Sequence, residues 1–467
     1  MKYTMTTTFL HTSRHTTSMK RQAMPYDPLI SRTPGTGLEH VSSYWAETGG
    51  PEPENDGSLE TSVETDVAII GGGYTGLSCA IHLARDFGIN PVVLEANRPV
   101  WGCSGRNGSF TGPNIGRLSI AQWERRWGAE GARALWNESM AGLDTVRELI
   151  DRGAIDCDRQ PDGRMKIAHS PKAVPYIHSE YQALKRLDYQ ADILSAEDIA
   201  RDHCKGAEAF SAIRLPDGFC MHPMKFGYGL VRMARAAGAF IHASSPVLEW
   251  KKQGNEHCLS TPRGEVRARQ VVFATNGYTN EQLHPCLKGG LLPVISYIVV
   301  TSPMDTEQQS ECNFVTTDSL TDTKKFLNYF RRLPDNRIML GSRGPFREGG
   351  SVQHSRWLLN NIKRKFPPLE NLGVEYYWGG WVAITCDNMP HVGCAEDDPT
   401  LLYSLGYCGS GVTAATQAGR RMAEHLGAGR PLMPELCTPL PRFPMARFRR
   451  LGQKIAFQWF RLQDLLP

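Results

Sequence analysis

Three glycines in the first hundred residues have the spacing needed to hold a dinucleotide. Gly71, Gly73 and Gly76 form a GxGxxG pattern, which directly follows the apolar run DVAII and opens a helical pattern. The first glycine permits a tight turn, the second lets a pyrophosphate approach the backbone, and the third allows the helix to pack closely on the strand. The start of such a helix directs free N–H groups toward the phosphates.

An acidic residue completes this unit. Glu95 follows the next apolar run, 24 residues after Gly71. A carboxylate about 20 residues beyond the glycines accepts hydrogen bonds from the adenosine ribose hydroxyls. Together these features predict a dinucleotide site rather than a structural turn. The contacts that we expect within the unit are Gly71, Gly73, Tyr74, Thr75, Gly76, Glu95 and Ala96.

The segment after Glu95 favours FAD over NAD. The chain continues there as RPVWGCSGRNGSFTGPN (98–114), a loop rich in glycine and serine, where a nicotinamide enzyme usually continues its alternating strands. The loop offers a close backbone approach and donors to a second pyrophosphate contact and to a flavin; an ordinary surface loop is the alternative interpretation. The expected contacts in this loop are Ser104, Gly105, Arg106, Asn107 and Gly108.

Two distant segments support FAD. RQVVFATNGY (269–278) is typical of a strand that returns over a dinucleotide, and LYSLGYCGSGVTAATQAGRRMAEHL (402–426) predicts a strand, a glycine turn and a helix. The positive end of that helix would stabilise negative charge on a reduced flavin, whereas a glycine-capped helix without a ligand is the alternative. The expected contacts are Val247, Thr275, Asn276, Gly277, Trp381, Gly406, Gly409, Ser410, Gly411, Val412 and Thr413.

Five motifs follow one another along the chain: IIGGGYTGLS (69–78), WGCSGRNGS (101–109), VVFATNGY (271–278), WGGWVAITCDNMPHVG (378–393) and GYCGSGVT (406–413). In these motifs the sequence resembles the FAD-dependent amine and D-amino-acid oxidase superfamily, and within it the γ-glutamylputrescine oxidoreductase group. The similarity extends from about Ser42 to the C-terminus. The sequence departs from the group at Cys103, where alanine is usual, and at Ser410, where a histidine often lies.

The resemblance implies a reaction. Hydride passes from the carbon that bears an amine to flavin N5, and the resulting imine is hydrolysed to a carbonyl compound. The substrate would be a small amine or amino acid, with γ-glutamyl amines and polyamine derivatives among the candidates. Oxygen or another acceptor would then reoxidise the flavin; the strand PVISYIVV (293–300) lacks the lysine that several oxidases of the superfamily place near N5.

Two further possibilities stay open. The chain is either an oxidase or an amine dehydrogenase that uses a carrier other than oxygen, and a flavin-binding subunit of a larger complex is the alternative from another class. The resemblance also implies that FAD is bound without a covalent link, because residues 376–384 contain no cysteine and residues 98–108 contain no histidine.

The expected fold is α/β, more specifically an α+β two-domain flavoprotein. A Rossmann-type FAD-binding domain would comprise residues 41–150, 204–284 and 376–442, and a substrate domain built on an antiparallel sheet would comprise 151–203 and 285–375. Residues 1–40 would form a disordered or targeting-like tail. Residues 443–467 would form an amphipathic helix, because Phe448, Leu451, Ile455, Trp459, Leu462 and Leu466 recur at spacings of three and four. Docking on its own domain is the favoured role, with a membrane surface or a partner as the alternative.

Several side chains could contact the substrate. Aromatic residues that could form the pocket wall and serve in catalysis, with core packing as the alternative, are Tyr297, Tyr329, Trp381 and Tyr407. Arginines that could pair with a substrate carboxylate are Arg331, Arg332 and Arg343. His391 could move a proton, but a structural histidine is the favoured interpretation.

Composition excludes several other classes of protein. Hydrophobic residues make up 41% and charged residues 21% of the chain, values typical of a globular protein. The longest apolar run, Leu291 to Val300, is too short to cross a bilayer. A net charge of +4 without a basic cluster in the body of the chain does not favour nucleic-acid binding. The 12 cysteines form no CxxC pair and the 14 histidines have no metal-binding spacing, which predicts a cytoplasmic protein without a metal site.

Overall fold

The computed structural model describes residues 26–35, 39–346 and 348–465. Most of the expected N-terminal tail, residues 1–25, lies outside the described residues. The strands are β1 Val63–Ile70, β2 Val92–Leu94, β3 Arg164–Ala168, β4 Asp192–Ser195, β5 Ser211–Leu215, β6 Phe240–His242, β7 Glu249–Gln253, β8 Glu256–Ser260, β9 Glu265–Phe273, β10 Leu292–Thr301, β11 Ser319–Asp322, β12 Tyr329–Arg332, β13 Ile338–Arg343, β14 Val374–Ile384, β15 His391–Ala395 and β16 Asp398–Leu405. The helices are α1 Tyr44–Thr48, α2 Tyr74–Phe87, α3 Ile120–Arg152, α4 Val174–Arg186, α5 Ala196–Asp202, α6 Pro223–Ala237, α7 Thr306–Cys312, α8 Val352–Lys365, α9 Gly411–Ala428 and α10 Arg449–Leu465.

The first sheet has the order β15-β16-β9-β1-β2-β6. Every pairing from β16 to β6 is parallel, whereas β15 is antiparallel to β16 and the β7–β8 hairpin pairs with the first half of β9. The last four residues of β1, Val67 to Ile70, are all buried, as expected for a parallel strand that is covered on both faces. The predicted strand, helix and strand around the glycines are confirmed as β1, α2 and β2.

The second sheet has the order β14-β10-β13-β12-β11-β3-β5-β4, and all its pairings are antiparallel except that of β11 with β3. One of its faces packs on a hydrophobic core that includes Ile295, Leu340 and the ring of Trp381. The opposite face is directed toward the first sheet. The expected two-part α+β architecture is confirmed.

Sheet membership corrects the expected domain boundaries in two places. Strand β5 lies in the range 204–284 and most of β14 lies in 376–442, both of which we assigned to the FAD-binding domain. Yet β5 pairs with β3 and β4, and β14 pairs with β10 along ten residues of register. Their backbone groups are therefore satisfied by the second sheet, and the substrate domain extends to both strands.

Helix α10 packs on the body of the protein. The side chain of Phe457 is buried against Val294, Phe326 and Phe346, and the Arg449 guanidinium pairs with Glu281 at 2.9 Å. These contacts agree with docking on its own domain. Among the described helices, none combines the length and the apolar composition that crossing a bilayer requires.

Candidate active site

A cavity of about 1230 Å³ lies between the carboxyl ends of the parallel strands and one face of the second sheet. Its wall includes Ile70 and Leu94 at the ends of β1 and β2, and Ala274 directly after β9. Ligands of open α/β sheets bind at this edge. The cavity exceeds the range typical of a pocket for one small ligand, about 300–1,000 Å³. It therefore has room for a dinucleotide and a substrate together.

The glycines at the start of α2 leave the space that a pyrophosphate requires. Gly71 has a φ of +115°, and a Cβ atom there would lie 2.8 Å from the Ala274 carbonyl oxygen. A Cβ atom on Gly73 would lie 2.9 Å from Ser104 Oγ, whereas one on Gly76 would lie 2.0 Å from the Gly71 carbonyl oxygen. Gly73 is the N-cap of α2 and provides no side-chain cap. The cradle therefore fits a phosphate group, with Gly76 acting in helix packing as predicted.

The Glu95 carboxylate is fixed by the backbone. Its Oε2 accepts a hydrogen bond from Gly72 N at 2.7 Å, and its Oε1 accepts one from Asn97 N at 2.9 Å. Burial raises the pKa of Glu95, and these backbone hydrogen bonds oppose that shift. Each oxygen keeps a lone pair for a ribose hydroxyl. Ala96 and Val247 line the cavity beside it.

The loop between β2 and α3 covers the cradle. Ser104 Oγ accepts a hydrogen bond from Tyr74 N at 3.1 Å, and the Asn107 amide donates to the Ser104 carbonyl oxygen at 2.9 Å. The Arg106 guanidinium stacks on Trp101 at 4.0 Å and donates from Nε to the Trp101 carbonyl oxygen. Its Nη1 lies 3.5 Å from Glu348 Oε1, whereas its Nη2 is buried and has no hydrogen-bond partner among the described residues, which leaves this Nη2 donor available to a ligand in the cavity.

The start of helix α9 faces the same cavity. Gly411, Val412 and Thr413 line it, and the N-cap residue Ser410 provides no side-chain cap because its hydroxyl donates to the Gly116 carbonyl oxygen. The helix has 18 residues, so its N-terminal dipole adds positive potential there. The arrangement fits the electron-accepting end of a flavin, as the sequence predicts.

Tyr407 holds the two cofactor segments together. Its hydroxyl lies 2.7 Å from Thr75 Oγ1 and 2.6 Å from Ser404 Oγ, and burial raises its pKa to about 12. The ring lines the cavity, but the hydroxyl is occupied by these partners. Its placement thus favours a positioning role over the catalytic role that we considered from the sequence.

The remaining aromatic candidates lie on opposite faces of the second sheet, because side chains alternate along a strand. Ser296 pairs with Arg343 of β13 and with Gly380 of β14, and all three residues line the cavity. Tyr329 of β12 lies on the same face, with its hydroxyl 2.9 Å from Ser296 Oγ.

The side chains next to Ser296 and Gly380 point to the opposite face of the second sheet. Tyr297 and Trp381 are buried in the core on the far face of the second sheet, where Tyr297 stacks on Tyr377 with ring centroids 4.9 Å apart. Because successive side chains of a strand point to opposite faces, residues one position from Ser296 and Gly380 cannot reach the cavity. The expected pocket wall is corrected at these two residues, and so is Trp381 as a cofactor contact.

The structure also separates the arginine candidates. Arg343 lines the cavity, whereas Arg331 is buried beyond it and donates to the Met221 carbonyl oxygen at 2.9 Å. Arg332 donates to Asn336 Oδ1 at 2.9 Å, away from the cavity. His391 Nε2 lies 3.2 Å from Asp387 Oδ1 and its ring does not line the cavity, in agreement with the favoured structural interpretation.

Most of the expected dinucleotide contacts meet in this one cavity. Those that line it are Gly71, Gly73, Tyr74, Thr75, Glu95, Ala96, Ser104, Arg106, Asn107, Gly108, Val247, Thr275, Asn276, Gly277, Gly409, Ser410, Gly411, Val412 and Thr413. Those that support the wall from behind are Gly76, Gly105 and Gly406. The amide oxygen of Asn276 accepts a hydrogen bond from Gly406 N at 3.0 Å, which links two of the predicted segments.

Sequence reasoning missed most of the cationic residues of the cavity wall and one helix face. Arg117 and Arg164 line the cavity, burial lowers the pKa of both, and no carboxylate among the described residues pairs with either. The alternation of polar and apolar residues in RMKIA (164–168) was the available signal for Arg164. Gln453, Ala456, Phe457 and Phe460 of α10 also line the cavity, although its helical spacing alone could not show which face turns inward.

Comparisons with known proteins agree with this geometry. The profile of the DAO family, described as FAD dependent oxidoreductase, matches residues 66–425. Gamma-glutamylputrescine oxidoreductase of Escherichia coli (strain K12) is 30% identical over 390 residues, which make up 83% of this chain and 89% of that protein. Glycine oxidase from Geobacillus kaustophilus has a TM-score of 0.69 at 18% identity, with coverage of 82% of this chain and 100% of that chain. L-proline dehydrogenase from P. horikoshii has a TM-score of 0.67 at 18% identity, with coverage of 80% and 96%.

Proposed function

The chain belongs to the DAO family of FAD-dependent oxidoreductases, and we propose that it oxidises the carbon–nitrogen bond of a small amine or amino acid that carries a carboxylate. FAD is its cofactor. The name of the Escherichia coli relative supports γ-glutamyl amines as candidates, since a γ-glutamyl group carries one free carboxylate.

The observation that carries the proposal is the charge of the cavity wall. Three carboxylates line the cavity, those of Glu95, Glu180 and Asp322, against nine cationic side chains. The cations are Arg32, Arg106, Arg117, Arg125, Arg164, Lys166, Lys324, Lys325 and Arg343. Lys166, Lys324 and Arg106 pair with Glu180, Glu208 and Glu348, so these three are neutralised locally, and Lys325 also has an interaction partner. The pyrophosphate of FAD offsets only part of the remaining excess, which favours an anionic substrate.

Arg343 is the residue best placed to bind the substrate carboxylate. It lies directly opposite Ser296, whose hydroxyl is hydrogen-bonded to that of Tyr329. A guanidinium can hold a carboxylate in a bidentate pair, while the two hydroxyls offer both a donor and an acceptor to the amine. This arrangement would fix the substrate at both ends on one face of the sheet.

Bound FAD would supply the two-electron oxidant for the carbon that bears the neutral amine, and water would hydrolyse the oxidised product to a carbonyl compound with release of the nitrogen as an amine or ammonia. The residues of the chain bind and orient the substrate and exclude water. Arg343, Ser296 and Tyr329 serve for orientation. Val294 and the rings of Phe457 and Phe460 form an apolar wall beside them, which disfavours the charged ammonium form of the amine.

An anaerobic titration tests this function. The purified protein is mixed with polyamines, γ-glutamyl amines and D-amino acids while the flavin absorption band is recorded. We expect a carboxylate-bearing amine to bleach the band without NAD(P)H, and the matching carboxamide to bleach it far more weakly. Bleaching by NADPH alone, with no response to any amine, would contradict the proposal.

The proposed function has two versions, which differ in the electron acceptor. The cavity face of β10 carries Leu292, Val294 and Ser296, whereas Lys166, Lys324 and Lys325 line the cavity from other segments, so an experiment must separate the two versions. Steady-state assays with the identified amine, in air and then with a dye acceptor under argon, separate the two. Oxygen consumption as fast as dye reduction would assign an oxidase. No turnover with either acceptor, despite bleaching, would favour a flavin-binding subunit.

We also propose a cytoplasmic location. All 12 cysteines are free thiols, and burial raises the pKa of several of them, including that of Cys103 to about 11. Protonated thiols of this kind persist in a reducing compartment. Cell fractionation with a tagged chain tests the location.

A further inference from the structure

The C-terminal helix α10 has an inner face that belongs to the cavity. Gln453, Ala456, Phe457 and Phe460 line the cavity, and only 5% of Phe457 is exposed. Two arginines at the start of the helix are used inward: Arg449 pairs with Glu281, and Arg450 pairs with Asp27 at 2.6 Å. The inner face therefore has its partners within the chain.

The outer face of the same helix is apolar and exposed. We call Phe448, Leu451, Ile455, Trp459 and Leu462 the outer stripe. Their exposed fractions are 48, 56, 64, 56 and 48%, and Met445 just before the helix is 76% exposed. Their spacing of three and four residues places them along one side of a helix. Single exposed hydrophobic residues are common, but a continuous stripe of large ones marks an interaction surface.

Basic residues flank the outer stripe on one side. Arg442, Arg447, Lys454 and Arg461 are exposed, and residues 442–463 contain no acidic residue. The Arg447 guanidinium lies over the Phe448 ring at 4.7 Å, and Lys454 and Arg461 lie near the rings of Phe346 and Phe326. A helix with tryptophan, leucine and phenylalanine on one side and basic residues beside them is suited to the interface of an anionic bilayer.

We propose that the outer stripe binds the surface of a membrane that contains anionic phospholipid. Its charge argues against a second copy of this chain as the occupant, because two such faces would bring eight exposed cations together and residues 442–463 supply no carboxylate to offset them. The apolar side chains would enter the headgroup region while the inner face keeps its contacts. This binding goes beyond the proposed oxidation and leaves the cavity closed on the α10 side.

Vesicle sedimentation with the FAD-loaded protein tests the proposal. One set of vesicles contains phosphatidylcholine alone and another contains phosphatidylglycerol as well. We expect at least about tenfold stronger binding to the anionic vesicles, with a marked loss at high salt. Equal binding to both sets, or binding to neither, overturns the proposal.

Variants identify the surface. Ile455→Glu and Trp459→Glu change exposed positions and should abolish sedimentation, while flavin absorbance and amine bleaching remain at wild-type levels. Lys454→Gln and Arg461→Gln should each weaken binding about fivefold. The matched control is Val352→Glu on α8, where valine is 65% exposed, and it should bind as wild type does.

Two outcomes contradict the assignment of the surface. Vesicle binding by Ile455→Glu as strong as that by Val352→Glu would place the lipid contact elsewhere. A dimer in analytical ultracentrifugation that Ile455→Glu dissociates, together with no vesicle binding by the wild type, would assign the stripe to a second copy. Because amine bleaching is recorded separately, failure of the proposed oxidation is distinguishable from failure of membrane binding.

Discussion

The proposed FAD cradle and the proposed substrate face offer different kinds of groups to their ligands. The cradle offers backbone N–H groups and missing side chains, at Gly71, Gly73 and the start of α9, and it comes from contiguous motifs. The substrate face offers side chains, those of Ser296, Tyr329 and Arg343, which three strands bring together. Changes in the cradle should therefore remove the cofactor altogether, whereas changes on the substrate face should alter recognition and leave the flavin in place.

The largest effect is expected at Gly73. In Gly73→Val the new side chain would meet Ser104 Oγ and fill the space for the pyrophosphate. We expect a loss of FAD affinity of at least about 100-fold, on the order of 3 kcal/mol, measured by flavin fluorescence titration. Gly373→Val is the control, because a Cβ atom there has no neighbour within 4 Å. Full flavin content in Gly73→Val would refute the assignment of the cradle.

The second effect is expected at Arg343. Arg343→Gln removes the cation that we assign to the substrate carboxylate, so KM for the identified amine should rise roughly 30- to 100-fold, since loss of a charged hydrogen-bonded partner costs about 2–3 kcal/mol. FAD content should not change. Arg332→Gln, whose guanidinium lies outside the cavity, is the matched control. Equal KM values for the two variants would exclude Arg343 as the carboxylate site.

An acid titration tests how the stability of the first sheet depends on pH. Burial and the nearby Lys252 ammonium lower the pKa of His257, beside the first sheet, to about 4 from 6.5. The unfolded chain binds this proton between pH 6.5 and 4 while the folded chain does not, so stability falls as the pH drops through that window, by up to about 3 kcal/mol. Urea denaturation at pH 7 and pH 4.5 should show a smaller loss for His257→Asn than for the wild type. Exposed His178→Asn should behave like the wild type.

A tyrosine pair tests the division between the faces of the second sheet. Tyr329→Phe removes a hydroxyl that is bonded to Ser296 in the cavity and should lower kcat/KM about tenfold. Tyr297→Phe removes the acceptor of the 2.8 Å hydrogen bond from Gly350 N and should cost about 1 kcal/mol of stability without a kinetic effect. Stopped-flow reduction and thermal melts of both variants check this. The reverse pattern would mean that the sheet faces are assigned the wrong way round.

The smallest effect is expected at the cavity cysteines. Cys103 and Cys408 line the cavity, and burial raises the pKa of both thiols, which keeps them protonated and unreactive. FAD should therefore stay in the supernatant after acid precipitation, and Cys103→Ala should retain wild-type flavin content. A flavin-sized mass on the denatured chain would show a covalent link instead.

The cradle was predictable from sequence because its function depends on local backbone geometry. Gly71, Glu95 and the start of α9 are each recognised within one strand–turn–helix segment, and the structure brings these segments to one cavity. Motif resemblance also predicted the two-part fold. It did not predict the sheet membership of β5 and β14, because pairing partners lie far away in sequence.

The substrate face was only partly predictable for a related reason. A strand fixes which residues share a face but not which face meets a ligand, and for that reason Tyr297 and Trp381 were considered together with Tyr329. Ser296 and Gly380, each one position away from Tyr297 or Trp381, line the cavity instead. Arg117 and the inner face of α10 depend on tertiary contacts that no local pattern encodes.

Helix α10 follows the other elements of the cavity in the chain, and this order has a consequence for biosynthesis. Synthesis proceeds from the N-terminus, so β1, α2 and the Gly71 turn emerge while Phe457 and Phe460 are still to be made. The cavity therefore stays open on that side until α10 has been synthesised. A nascent or C-terminally truncated chain would expose the apolar faces of Val294 and Phe326 that α10 covers, and such chains should be held by chaperones or degraded before they retain flavin.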